Sequence, residues 1–363
     1  MGLPSGTPAP AKPRWLAWVV LVALVVIFLF FSPFLGQVSI PPSIVASILI
    51  YQFTGGLVGG SPCGAAAVSS ARCDVLVEIV WNVRVPEVLL AFVVGAALGT
   101  SGATLQAIFR NPLADPYLLG LSSGAAFGAA LLLVFNLGEN AANLALPLFA
   151  FLGAFVTGLV VLLAARSPRT SVETLLLTGV ALSAFLSSLL VLALVFNPIG
   201  SLQLSYWLLG GMSAATWGRV GIVFGGVLVT GAIIVLHARS LNILQLGPEV
   251  AQSLGVDSRR VVGRMVLLTS IATALAVAFA GVIGFVGLVA AHIVRRFFGS
   301  DYRLVLPISA VGGALLLVGA FNVSQVLLPQ TQVPVGVPLA FIGGPFFIYI
   351  LYRVRARERG GTA

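Results

Sequence analysis

The chain has 363 residues, of which 59% are hydrophobic and only 8% charged, and its mean hydropathy is +1.11. A soluble domain cannot cover that much apolar surface, so the composition predicts a polytopic membrane protein whose spans are helices. The net charge of +9 would suit a nucleic-acid-binding protein. The distribution of the basic residues gives that charge another explanation, and no nucleic-acid partner is predicted.

Apolar runs long enough to cross a bilayer recur along the chain. A helix needs about 20 predominantly apolar residues to span the hydrocarbon core. We predict ten spans, although those at Phe285 and Val337 are short and eight to ten is the safe range. The spans are Trp15–Phe34, Val85–Ile108, Leu118–Phe135, Leu146–Ala165, Thr174–Val195, Val220–His237, Met265–Ile283, Phe285–Phe298, Leu304–Phe321 and Val337–Tyr352. The predicted fold class is therefore an all-α polytopic membrane protein with about ten transmembrane helices.

The basic residues are distributed very unevenly between the two predicted faces. Of the 19 lysines and arginines, only Arg72, Arg84 and Arg219 fall on the face opposite the N-terminus. Such a bias places the basic face in the cytoplasm. We therefore predict a multi-pass protein of the cell (inner) membrane with both termini in the cytoplasm. The other sixteen are Lys12, Arg14, Arg110, Arg166, Arg169, Arg239, Arg259, Arg260, Arg264, Arg295, Arg296, Arg303, Arg353, Arg355, Arg357 and Arg359.

The sequence divides into one long membrane domain and two short tails. Residues 1–14 are rich in proline, glycine and alanine and are predicted to be a disordered cytoplasmic tail. Residues 15–354 are predicted to form a single transmembrane domain, and residues 355–363 a basic cytoplasmic tail. The first apolar run is too long for the apolar region of a cleavable signal peptide, so it is interpreted as the first span.

The two cysteines, Cys63 and Cys73, both fall in the first external loop. An external disulfide that closes a small loop is one interpretation, and two free thiols are the other. A metal site is not predicted. His237 and His292 are the only histidines, and neither has a second ligand at a suitable spacing.

The chain lacks the residues of two energy-coupling mechanisms. A phosphate-binding P-loop needs a lysine after its glycines, and the only lysine is Lys12 in the N-terminal tail. No acidic residue is predicted deep within a span, although Glu87 and Glu173 lie near span ends. The energy for uphill transport is therefore expected to come from another subunit. An ion-coupled secondary transporter, or a structural membrane subunit, stays open as an alternative.

Two apolar segments outside the spans are predicted on the external side. Within residues 37–83, the sequence from Pro41 favours a short surface helix that extends through Tyr51. The segment Leu202–Met212 is apolar but too short to span, so a re-entrant or interfacial helix is predicted there.

A stiff cytoplasmic turn follows the second predicted span, from Arg110 to Pro116. Asp115 is suited to cap the next helix, with Pro116 at its first position. The turn is either an ordinary rigid connector or a constriction at the inner mouth of a pathway.

The longest internal cytoplasmic loop is Leu241–Arg260. Gly247 can end one short helix, and Pro248 can begin another that stops near Gly255. The second helix would expose an apolar face of Val250, Ala251 and Leu254. Such a face is typical of a helix that docks into a partner groove or of one that lies on the membrane surface, and this segment alone does not distinguish the two.

Several segments, taken together, resemble the permease subunit of ABC importers for iron-siderophore, haem and cobalamin, the FecCD-type family. The resemblance covers nearly the whole chain from Arg84 onward. It is carried by RVPEVLLAFVVGAALGTSGATLQAIFRNPLADPYLLGLSSGAAFG (84–128), LLLTGVALS (175–183), YWLLGGMSAATW (206–217), LGPEVAQSLGV (246–256), GFVGLVAAHIVRRFFG (284–299) and VPVGVPLAFIGGPFF (333–347). NPLADP and LGPEVAQSLGV are the most specific of these segments.

The resemblance implies a permease that carries out no chemistry itself. Two copies, expected to be identical, would enclose one path through the lipid bilayer and would move a metal-chelate substrate inward by alternating access. It also implies two cytoplasmic ATPase subunits, which would bind ATP and magnesium, and an external substrate-binding protein. No cofactor is expected on this chain.

The same resemblance assigns residues to two cytoplasmic sites. Docking of the ATPase, or coupling, is implied for Leu246, Gly247, Pro248, Glu249, Ala251, Ser253, Leu254 and Gly255. An inner gate is implied for Asn111, Leu113, Val172 and Glu173.

The external docking surface departs from the pattern of the family's cobalamin importers. That pattern has an RLPR segment and a further arginine before the last span. This chain has Arg84-Val85-Pro86-Glu87 at the first position and Gln325, or a residue near it, at the second. Docking of the binding protein is therefore predicted at Arg84, Glu87 and Gln325, with only one of the three arginines retained. Substitution by Arg72 and Arg219, or a different set of docking charges, stays open as an alternative.

Overall fold

The computed structural model describes residues 14–58, 61–63, 69–134, 144–164, 172–196, 204–212, 215–328 and 333–360. All regular structure within these ranges is helical, and they contain no strand. Most of the two predicted tails lies outside the described residues, so the division into three parts stays a prediction.

The helices follow one another with short connections. They are α1 (Arg14–Phe31), α2 (Pro42–Phe53), α3 (Ser70–Val77), α4 (Val85–Ile108), α5 (Leu121–Val134), α6 (Ala145–Ala164), α7 (Val172–Phe196), α8 (204–208), α9 (Trp217–Leu236), α10 (Ala238–Leu244), α11 (Pro248–Ser253), α12 (Ser258–Ala280), α13 (Val286–Phe298), α14 (Tyr302–Leu327) and α15 (Gly336–Gly360). A π-helical segment, Glu78–Arg84, joins α3 to α4, and 3₁₀ turns occupy Ser32–Phe34 and Pro116–Leu119.

Six helical stretches of the described chain are long and apolar enough to cross a membrane. They are Ser70–Ile108, Ala145–Ala164, Thr174–Phe196, Trp217–Leu236, Ser258–Ala280 and Tyr302–Leu327, and four shorter apolar helices accompany them. The all-α polytopic class is thus confirmed. The count of ten spans and the cytoplasmic position of both termini stay predictions.

The second predicted span begins earlier than the sequence indicated. The prediction placed its start at Val85, whereas the helix is continuous from Ser70 through the π-helical segment to Ile108. Charged residues such as Arg72, Asp74 and Glu78 end the apolar signal without ending the helix, because helical hydrogen bonds are local to the backbone. Glu87 consequently lies inside a long helix and not near its end.

The long helix that ends in α4 is the centre of the fold. In the most apolar stretch of this helix, 83% of the residues are buried inside the protein. The corresponding share is 11% in α7 and 17% in α9. Helices α9, α12, α13 and α14 pack around α4. A membrane protein places its least covered helices against lipid or another subunit, so α7 and α9 are the outer helices of this chain.

Helices α4 and α14 touch through their backbones. A Cβ atom at Gly95 would collide with the carbonyl of Gly313, and one at Gly99 would collide with the carbonyl of Ser309. Small residues permit such close approach, which maximises dispersion contact where lipid removes the hydrophobic drive for helix association. The two helices therefore form one tightly packed pair.

A small cap, formed by the described residues from Ser32 to Arg84, covers the beginning of α4. Its core contains Ile44, Val45 and Ile48 on one face of α2, so the predicted helix after Pro41 is present but is packed rather than lying free on a surface. The structure joins Cys63 to Cys73 in a disulfide within this core.

Candidate functional site

The predicted coupling segment, residues 241–260, contains the end of α10, the whole of α11 and the first residues of α12, and it lies at the opposite end of α4 from the cap. Helix α10 ends at Leu244 and α11 runs from Pro248 to Ser253. Gly247 (φ 109°) and Gly255 (φ 78°) have backbone conformations that side chains rarely allow. These two glycines fix both ends of α11, close to the limits that the sequence predicts.

Helix α11 has one face attached to the protein and another exposed. Ala251 is completely buried, whereas Leu246, Val250 and Leu254 are 63, 43 and 57% exposed. Pro248, Glu249, Ser253 and Gly255 are exposed as well, and Gly247 is half-buried. Of the predicted coupling residues, Ala251 therefore anchors the helix and the others surround an apolar patch. Its role in docking stays a prediction.

The turn after α4 meets the coupling segment. Arg110 has a positive φ of 48°, which is uncommon for a residue with a side chain. Its guanidinium group lies beside Gly247. The turn and the coupling segment therefore belong to the same end of the molecule.

The structure places the inner-gate residues of this turn against the protein. The side-chain oxygen of Asn111 accepts a hydrogen bond from the backbone amide of Leu113 at 2.9 Å. Leu113 packs against a cluster that includes Leu288 and Ile350. The other two predicted gate residues, Val172 and Glu173, start α7, but their side chains lie outside the described residues. The structure thus does not show whether the four converge.

Asp115 caps the 3₁₀ turn that precedes α5, by accepting a hydrogen bond from the Tyr117 amide at 3.0 Å. The sequence predicts this cap, but α5 itself begins only at Leu121. In this loop, outside the membrane-spanning helices, burial raises the pKa of Asp115 to about 6, although hydrogen bonds from the backbone of Tyr117 and Leu288 oppose the shift.

Tyr117 supports the break between α12 and α13, near the predicted boundary between two spans, and this role of Tyr117 was missed by sequence reasoning. Its hydroxyl donates to the carbonyl of Ile283 at 2.6 Å and accepts from the amide of Ile283 at 2.9 Å. Burial, and then the nearby Asp115 carboxylate, raise the pKa of this hydroxyl, so it keeps the proton that it donates. One side chain thus pairs with both backbone groups of Ile283, a residue outside any helix. Leaving such backbone groups unpaired in a membrane protein costs free energy.

Three non-helical segments meet near this break. The amide of Gly211 donates to the carbonyl of Ala280 at 3.0 Å, and that of Gly336 donates to the carbonyl of Leu209 at 3.1 Å. Helix α8 therefore packs against the ends of α12 and α15 instead of crossing the membrane. This agrees with a short re-entrant or interfacial segment, as the sequence predicts.

The three predicted docking residues lie at the cap end of the molecule, and two of them are buried. Arg84 is 6% exposed, and its guanidinium group donates to the carbonyls of Pro33, at 3.1 Å, and Val38. Glu87 is 5% exposed, and Gln325 is half-buried. The loop before α2 wraps around the side chain of Arg84, and docking of the binding protein at these three residues stays a prediction.

Glu87 and Gln325 line a common cavity with a volume of about 400 Å³. Arg219, Tyr206 and Ser324 also line it, so the cavity combines one carboxylate and one guanidinium group with apolar walls. This cavity thus contains two of the three docking residues, and a second cavity brings all three together. Arg84 lines a second, smaller cavity of about 210 Å³, which also includes Glu87 and Gln325.

The described residues include no group of three or more histidine, cysteine, aspartate or glutamate side chains that could hold a metal ion. His292 contacts the ring of Phe346 edge-on at 5.8 Å between ring centroids, which is a packing contact.

These features describe a multi-pass helical membrane protein with a tightly packed core, an exposed short helix at one end and a cap at the other. The family model described as the FecCD transport family matches residues 24–353. The chain therefore belongs to the FecCD transport family.

Named relatives and a solved structure agree with this assignment. The chain is 36% identical over 330 residues to the hemin transport system permease protein HmuU of Yersinia pestis, covering 88% of this chain and 99% of that one. It is 39% identical over 274 residues to the cobalamin import system permease protein BtuC of Halobacterium salinarum, covering 75 and 73%. A solved chain described as an inward-facing conformation of a metal-chelate type ABC transporter aligns with a TM-score of 0.76 at 27% identity, covering 94 and 99%.

The protein is thus a permease subunit of an ABC importer in the inner membrane, and ATP hydrolysis belongs to a separate subunit. Such permeases work as dimers in complexes with ATPase and substrate-binding partners. Family membership supports this assignment over the ion-coupled secondary transporter, even though Glu87 proves to be buried within a long helix.

Proposed function

We propose that two copies of this chain form the path of a metal-chelate importer that is powered by ATPase subunits docked on α11. The observation that carries the proposal is the way in which α11 packs against the protein. Ala251 is buried, whereas Val250 and Leu254 are exposed. A helix fixed on one face and apolar on the other is suited to a partner groove.

The charge of helix α11 itself favours a protein groove over the membrane surface. A helix that lies on anionic lipid typically carries several basic residues on its polar face. Helix α11 carries Glu249 and no lysine or arginine, whereas Arg259 and Arg260 lie beyond its end, where Arg260 forms an ion pair with Asp257. The exposed leucines and valine are therefore better matched to an apolar groove of a protein.

The proposed substrate class is a metal chelate such as haem, cobalamin or a ferric siderophore. It is supported by relatives named for hemin, cobalamin and siderophore transport and by the resemblance to a metal-chelate type transporter. The metal would travel within the chelate as cargo, and this chain would contribute the shape of the path and its alternating closure.

The second copy is proposed to be identical. Helix α7 exposes a long apolar face that includes Leu177, Phe185, Val191 and Phe196. Only 11% of the most apolar stretch of this helix is buried by the rest of the chain. The face suits lipid or a second permease, and a dimer would cover part of it.

Transport in proteoliposomes tests this proposal. Haemin, cyanocobalamin and ferrichrome would each be offered to vesicles that contain the permease with its ATPase and binding protein, or the permease alone. We expect uptake of one of these compounds only with ATP and all components. Gradient-driven accumulation by the permease alone would favour the secondary transporter, and ATP-independent uptake by the whole assembly would contradict the proposal.

A further inference from the structure

Helix α10 is fastened to the beginning of α14 by side-chain hydrogen bonds. The amide nitrogen of Asn242 donates to Asp301 Oδ1 at 2.7 Å, and its amide oxygen accepts from the backbone amide of Tyr302 at 2.8 Å. Gln245 adds a longer hydrogen bond of 3.4 Å to the carbonyl of Ser300. The side chain of Asn242 thus uses both its donor and its acceptor on two consecutive residues.

These two residues form the N-terminal cap of α14. Asp301 Oδ1 also accepts from the amide of Arg303 at 3.0 Å, and the side chain of Tyr302 is fully buried. The first amides of a helix lack partners within the helix. Asn242 supplies the partner for Tyr302, so a side chain from α10 completes the cap of α14.

Helix α14 carries this connection into the centre of the protein. It packs backbone to backbone against α4 at Gly95 and Gly313 and at Gly99 and Ser309. Contacts this close leave little room for one helix to slide independently, because interiors transmit displacement when they are packed without voids. A displacement at the start of α14 is therefore shared by α4, which runs to the cap.

We infer that Asn242 is a positioning residue that transmits movement of the coupling segment to the α14–α4 pair. The inference rests on the proposed docking of the ATPase at α11. The polypeptide itself joins the coupling segment only to α9 and α12. The Asn242 bridge adds a direct connection to α14, which chain order does not supply.

The test uses the complete complex in proteoliposomes and measures the amount of substrate transported per ATP hydrolysed. The transported compound is whichever of haemin, cyanocobalamin and ferrichrome the unaltered complex takes up. For Asn242→Ala we expect normal co-purification with the ATPase, continued ATP hydrolysis and a transport-to-ATP ratio lowered about fivefold, the effect of losing roughly one net hydrogen bond. Asn242→Asp should lower the ratio at least as far, because it places two carboxylates together.

The double variant N242D/D301N exchanges the two groups and restores the bridge. The amide at position 301 can donate to the carboxylate at position 242, which still accepts from the Tyr302 amide. The atom of residue 301 that donates can no longer accept from the amide of Arg303, so we expect the ratio to recover only in part, to a value above that of Asn242→Asp. Asn82→Ala is the matched control, because Asn82 also donates to a carboxylate, that of Glu78, but in the cap. It should leave the ratio unchanged.

Three results would overturn the inference. The first is an unchanged transport-to-ATP ratio in Asn242→Ala. The second is loss of co-purification with the ATPase in that variant, which would make Asn242 a structural residue. The third is a double variant whose ratio does not recover. Failure of the docking proposal would give a different result. The ATPase would then still assemble normally with the permease after the apolar patch of α11 is disrupted.

Discussion

The two ends of the molecule present their predicted functional residues in opposite ways. Of the predicted coupling residues, Leu246 and Leu254 are exposed and only Ala251 is buried. At the cap end, Arg84 and Glu87 are buried under the loop that precedes α2. The residues inferred from family likeness are thus accessible to a partner protein at the coupling segment. At the cap end they contact other parts of the same chain.

The difference has a local cause at one end and a long-range cause at the other. The exposure of α11 follows from helix periodicity and from the glycines that bound it, all within ten residues. The burial of Arg84 depends on carbonyl groups about 50 positions earlier in the chain, at Pro33 and Val38, and on the absence of a side chain at Gly36, which leaves room for the guanidinium group.

The largest effect is expected from Leu254→Asp. A charge placed in an apolar groove lacks a partner and must be desolvated, so we expect the affinity for the ATPase to fall by about 100-fold, equivalent to roughly 3 kcal/mol. Because Leu254 is 57% exposed, the fold of the permease should persist. Co-purification of the ATPase with the permease measures the effect.

Leu254→Met is the matched control, since it retains an apolar side chain of similar size and should assemble normally. If Leu254→Asp co-purifies as well as Leu254→Met, the exposed patch of α11 is not the docking surface and the contrast between the two ends disappears.

A smaller effect, of a different kind, is expected from Arg84→Gln. The substitution removes a charged donor that binds two carbonyls, and such hydrogen bonds stabilise by about 1.5–3 kcal/mol. We therefore expect a lower unfolding temperature of the purified permease at both low and high salt. The measurement is thermal unfolding in detergent together with affinity for the binding protein at two salt concentrations.

The alternative outcome for Arg84 would support the docking prediction. Exposed ion pairs are screened by salt. An unchanged unfolding temperature, combined with weaker binding-protein affinity at low salt only, would show that Arg84 acts at the surface despite its burial in this structure.

The sequence predicts those elements whose signal is local. The limits of α11, the cap at Asp115 and the helix after Pro41 all follow from proline, glycine and aspartate positions. The start of the long helix at Ser70 could not be predicted from hydropathy, because its first part is polar. The left-handed Phe285 (φ 69°) before α13 could not be predicted either, since only the surrounding packing selects that conformation.

Tyr117→Phe probes the connection between the two ends. Without its hydroxyl, the amide and carbonyl of Ile283 both lose their partner, and we expect a loss of stability of about 1–2 kcal/mol. The amides near Ile283 should exchange hydrogen faster, while those of α11 stay unchanged. Equal exchange at Ile283 in the two proteins would show that this hydroxyl does not hold the break between α12 and α13.

The smallest effect is expected from Glu249→Gln, in the exposed first turn of α11. A carboxylate at a helix beginning interacts favourably with the helix dipole, but the interaction is weak at an exposed position and is screened by salt. Co-purification with the ATPase should change by less than about twofold. A loss as large as that of Leu254→Asp would mean that the ATPase recognises charge rather than the apolar patch, so the coupling segment would resemble an electrostatic docking surface of the kind predicted for the cap end.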